Sequence, residues 1–170
     1  RVRRTRLLST EWMERIMLAV TEVNRCAMCS YAHTKIALEA GLKADEINAV
    51  LAGDFSGVNK AELASLLFAQ HYADTRGNPS AKAWQAIIHQ YGTVTALGIL
   101  GAIRMITLGN TYGIPSGNLL ARLTGRPLDQ RSNLGYELAM LLSIVLLPPF
   151  AALHALAAGL LRLPVLRPVE

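Results

Sequence analysis

The chain has 170 residues, enough for one domain with its own core, and 52% of them are apolar against 17% charged. A mean hydropathy of +0.29 is high for a soluble monomer and implies a large subunit interface or a membrane. The net charge of +5 owes much to Arg1, Arg3, Arg4 and Arg6, but aromatics at 6% without basic–aromatic interleaving argue against nucleic acid as a partner.

Residues 1–8 read as a solvated basic arm. The apolar stretch behind the arginines, Leu7-Leu8, is too short for the core of a secretory signal. Residues 9–23 are expected to form a helix capped by Ser9 or Thr10, with Trp12, Ile16, Val20 and Val23 as its apolar stripe and Met13 and Met17 beside it. A second helix follows, with Asn24 as its candidate N-cap and Gly41 placed where a glycine commonly ends a helix. A short helix at about 44–52 carries Ile47, Val50 and Leu51. Asn59 caps a longer one through Asp74, with Leu63, Leu66, Leu67 and Phe68 inward. Ser80 opens the next, which Tyr91-Gly92 closes, and residues 93–108 form another that is rich in small side chains. No stretch alternates with period two between hairpin turns, so the fold is expected to be all-α.

The C-terminal third has a different character. Residues 110–115 read as a loop, 116–124 as a short helix and Gly125-Arg126-Pro127 as its end. From Leu138 to Leu161 no charged residue occurs. That run exceeds the roughly 18 apolar residues of a membrane-spanning candidate. Pro148-Pro149 interrupts it, and two prolines remove two backbone donors, so two shorter helices are expected at a subunit interface. Membrane contact is the second reading. The chain therefore divides into an arm at 1–8, a helical domain at 9–128 and apolar helices at 129–170 that belong to the same domain or its subunit interface.

Both cysteines lie in one stretch, Cys26-Ala27-Met28-Cys29-Ser30-Tyr31-Ala32-His33. On a helix Cys26 and Cys29 are one turn apart, and His33 is one turn further on the same face. Two Cα atoms so spaced lie within the roughly 4.4–6.8 Å that a disulfide tolerates. A thiol in the first turn faces the positive end of the helix dipole, which lowers its pKa and favours the reactive thiolate. A reversible dithiol with a base one turn away is the plainest reading. The alternatives are two buried small hydrophobes or half of a zinc site. Zinc needs further ligands, and His71, His89 and His154 are scattered. Two cysteines at this spacing suit a reducing compartment, so a cytoplasmic location is expected. Either Glu14 or Glu22 could serve as a carboxylate partner to the site.

Glu14, Cys26-x-x-Cys29-x-x-x-His33, Ala40-Gly41-Leu42 and Asp45-Glu46-Ile47 together resemble the alkylhydroperoxidase D-like group of the carboxymuconolactone decarboxylase family. Similar phrases extend to Leu67-Phe68-Ala69, Ala83-Trp84, Ile103-Arg104-Met105-Ile106 and Asn110-Thr111. The resemblance implies an orthogonal helical bundle that assembles as a homo-oligomer, a trimer or hexamer. It implies thiol-dependent reduction of a peroxide substrate with no metal or organic cofactor, the electrons coming from a dithiol, lipoyl or thioredoxin-like donor. By resemblance Cys29 attacks the peroxide, Cys26 resolves the sulfenic acid, and Glu14 and His33 relay protons. The best-known members carry a histidine immediately before the second cysteine, where this chain has Met28. Decarboxylases of the family lack the cysteine pair. Dithiol–disulfide exchange is the companion reading, and a redox-responsive interaction protein or a membrane-associated module is the alternative.

Overall fold

A computed structural model describes residues 7–129 and 131–161. The expected basic arm at 1–6 and the end of the chain after Leu161 lie outside the described residues. The elements are α1 (Thr10–Asn24), α2 (Ala27–Ala40), α3 (Ala44–Leu51), α4 (Lys60–Asp74), α5 (Ala81–Thr124) and α6 (Leu134–Leu160), with no strand among the described residues. The all-α expectation holds.

The chain forms two compact units, Arg1–Gly117 and Asn118–Glu170. In the first, α1 is the central helix. Ser9 caps it, its hydroxyl oxygen accepting from the Trp12 N–H. The sequence suggests a stripe, but Ile16, Met17, Leu18, Ala19, Val20 and Thr21 are all buried. A helix buried on every side must be covered on every side, and α2, α3 and α4 all pack on α1. Ile99, Ile103 and Ile106 of α5 join the same core. Polar ties fix the register: Trp12 Nε1 donates to Ser65 Oγ at 2.8 Å, and the Ser65 N–H donates to the Tyr91 hydroxyl at 3.2 Å. Arg15 donates to both Glu46 and Glu62, linking α1 to α3 and α4. Burial opposes the charge on Arg15, yet these two carboxylates hold its pKa above the ordinary value.

Two expectations about α4 and α5 need correction. Leu67 is exposed, because Ser65, Leu66, Phe68, Ala69, Tyr72 and Ala73 define the buried face of α4 and Leu67 lies on the opposite side. The loop at 110–115 is helix instead: α5 leaves helical geometry only at Gly92, whose φ of 74° and ψ of 156° suit a residue without Cβ. Beyond that kink it runs unbroken through Pro115 to Thr124. Pro115 removes one donor, but Pro115 and Asn110 are both buried, and packing outweighs the lost bond.

The second unit holds α6, which is one helix through Pro148 and Pro149 and not two. Asn133 caps it by accepting from the Tyr136 N–H at 2.9 Å. Glu137, fully buried in its first turn, accepts from Arg122 Nε at 2.7 Å and from the Ser132 hydroxyl at 3.0 Å. Strong helix formers, mainly leucine and alanine, flank the two prolines and carry the helix across them.

Candidate redox site

The site is built where α1 turns into α2. Arg25 closes α1 in the left-handed region, with φ 53° and ψ 44°, and its N–H reaches back to the carbonyls of Thr21 and Glu22. The reversal is so tight that the next residue already caps α2. The N-cap is therefore Cys26 itself; Asn24, the residue the sequence suggested, is the last of α1. Cys26 Sγ accepts from the Cys29 N–H at 3.3 Å. A sulfur at that position stands in for the oxygen of a serine or aspartate cap, and it receives an unpaired helix N–H and the positive end of the dipole.

Cys26 and Cys29 are joined as a disulfide, with Cα atoms 5.3 Å apart. Both are buried, Cys26 at 1% and Cys29 at 7% exposure. One turn on from Cys29, half-buried His33 places Nδ1 2.8 Å from Oε2 of Glu14. Glu14 is 4% exposed, so this central-helix carboxylate is turned inward and is not a solvated first-turn residue. With the carboxylate as acceptor, the imidazole carries its proton on Nδ1, which leaves Nε2 as the nitrogen able to exchange protons. The rival, Glu22, accepts instead from Gln70 Nε2 at 3.2 Å. Geometry thus pairs His33 with Glu14.

Two residues of the site escape sequence reasoning. Gly113 of α5 faces the disulfide so closely that a Cβ there would stand 2.5 Å from Cys29 Sγ and 2.8 Å from Cys26 Sγ. No side chain fits that gap, and α5 can close the site only because residue 113 lacks one. Asn110, on the same face of α5 one turn earlier, is buried at 2% exposure and receives a long hydrogen bond, 3.4 Å, from the Thr21 hydroxyl. Among the described residues its Nδ2 has no acceptor. Such a group normally costs about 1–3 kcal/mol, so it is a donor that an oxygen-bearing substrate could satisfy. A glycine and an asparagine beside a proline look like a turn in sequence, which concealed both. Met28 is 40% exposed and lies against Gly117. Among the described residues no three His, Cys, Asp or Glu side chains converge as a metal site requires.

Residues 5–71 match the model of the carboxymuconolactone decarboxylase family. The chain has no match among curated proteins or solved structures. The matched segment contains Glu14, Cys26, Cys29 and His33, so over residues 5–71 the chain is similar to the carboxymuconolactone decarboxylase family.

Proposed function

We propose that the protein is a cysteine-based peroxidase of the alkylhydroperoxidase-like kind, carrying its reaction on Cys29, Cys26, His33 and Glu14. The observation that carries this reading is a Cys26–Cys29 disulfide at the start of α2 with, one turn on, His33 hydrogen-bonded to the buried Glu14 of α1.

In the reduced protein the Cys29 thiolate attacks one oxygen of the hydroperoxide. The O–O bond breaks, the departing alkoxide takes a proton through His33 and leaves as alcohol, and Cys29 becomes a sulfenic acid. Glu14 holds the imidazole in the tautomer that can pass that proton and stabilises its charged form. Cys26 Sγ, held one turn away, attacks the sulfenic sulfur. Hydroxide leaves as water after protonation, and the disulfide forms before over-oxidation can occur. An external dithiol then reduces the pair by exchange and is itself oxidised. Hydroperoxide and dithiol are converted to alcohol, water and a disulfide.

The test is consumption of cumene hydroperoxide by the reduced protein with dihydrolipoamide as donor. Turnover is expected in the wild type and its loss in Cys29→Ser; undiminished turnover in that variant sinks the proposal. Met28 in place of a relay histidine favours a second reading, dithiol–disulfide oxidoreduction without peroxide. That reading predicts reduction of lipoamide or a protein disulfide at a rate independent of added hydroperoxide, and lost in the same variant.

A further inference from the structure

We propose that α6 spans a lipid bilayer and that the occupant of its exposed surface is the acyl-chain interior. The first argument is angular. Ile144, Val145, Leu146 and Leu147 follow one another at about 100° per residue and point to four sides of the helix. All four are exposed, between 45% and 69%. A helix that docks on a protein partner or a second copy needs one apolar stripe, and a helix lying in the membrane surface needs a polar face opposite its apolar one. The run in α6 has neither: apart from Ser143 and the exposed His154 its side chains are apolar, and they face every side. Only a surrounding apolar solvent meets every side.

The second argument is length. The helix has 27 residues, about 40 Å at 1.5 Å per residue, against a hydrocarbon core of about 30 Å. Its one acid, Glu137, precedes the uncharged run and is neutralised by Arg122. Arg126 and Arg131 lie before the run and Arg162 follows it in sequence, with Tyr136 near its start, an arrangement suited to two water interfaces. Inside the run the Ser143 hydroxyl donates to the Met140 carbonyl, so the helix satisfies that polar group itself. The prolines fit the same setting, where unwinding would leave several backbone groups without water, whereas a continuous helix loses only two bonds. α5 is also long and apolar, but a third of its most apolar window is buried, with Ile99, Ile103 and Ile106 in the core of the first unit.

The experiment is flotation of the full-length protein, transferred from detergent into phosphatidylcholine vesicles, through a sucrose gradient in 1 M salt and again in alkaline carbonate. The protein is expected to float in both, and proteinase K is expected to leave a protected fragment containing residues 138–161. Leu146→Asp combined with Phe150→Asp is expected to abolish flotation. Near-ultraviolet circular dichroism from Trp12 and Trp84, both in the first unit, checks that this variant remains folded. A wild type that stays soluble without detergent as a discrete oligomer, or that salt strips from vesicles, overturns the proposal; the first result assigns α6 to a second copy of the chain.

Discussion

A carboxylate that is 4% exposed and hydrogen-bonded to an imidazole has no solvent to satisfy it, so removing its charge acts on the histidine alone. Glu14→Gln keeps the size and one acceptor oxygen but can no longer stabilise a charged His33. Peroxide turnover is expected to fall by about a hundredfold or more, the usual scale of positioned acid–base catalysis. Steady-state rates check this, and undiminished turnover would reduce Glu14 to a packing role. Gly113 supplies the complementary case. A methyl at 2.5 Å and 2.8 Å from the two sulfurs must push them or α5 away, and overpacking of this kind costs about 1–3 kcal/mol. Gly113→Ala is expected to shift the thiol–disulfide equilibrium toward the dithiol, which titration against a glutathione buffer reads directly. An unaltered equilibrium would mean that α5 yields without strain.

For the elements, much was legible because caps are local. Ser9 before α1, Asn59 before α4 and Gly41 after α2 stand where their side chains or lack of one suggested, since a cap depends on the three or four residues beside it. Asn24 misled for the same reason: it is a good cap, but Arg25 in the left-handed region makes the turn one step later and hands the cap to Cys26. The burial of α1 was only half legible, because periodicity identifies one stripe and cannot count how many neighbours will pack around it. Leu18 lies outside the stripe and is nonetheless fully buried. Leu18→Ala is therefore expected to destabilise the first unit by about 2–5 kcal/mol, a core penalty and not a surface one. Chemical denaturation followed by tryptophan fluorescence measures it, and a cost below about 1 kcal/mol would show that α1 is not the centre of the fold.

On the scale of the whole molecule, the proposed redox chemistry and the exposed apolar run of α6 fall in different units. Glu14, Cys26, Cys29, His33, Asn110 and Gly113 all fall within Arg1–Gly117, while the exposed leucines of α6 fall within Asn118–Glu170. Substitutions that share no contacts act additively. Leu146→Asp with Phe150→Asp is accordingly expected to leave dithiol-dependent turnover within about twofold of the wild type, whatever it does to lipid association. A large fall in turnover per folded molecule would reveal coupling between the units.

The order of residues was enough to determine the helical class, the position of the dithiol and the imidazole one turn beyond it, because these follow from spacings shorter than two helical turns. It left open which glutamate reaches His33, since Glu14 and Glu22 both lie on α1 and only packing turns one toward α2 and the other toward Gln70. The course of α5 and α6 was likewise undecided. Proline and glycine state what a helix loses locally, whereas burial around Asn110 and Pro115 in α5, and the uninterrupted apolar run of α6, decide whether that loss is borne. Contacts between residues far apart in the chain, Gly113 against Cys26 and Cys29 above all, exist only once the fold brings them together.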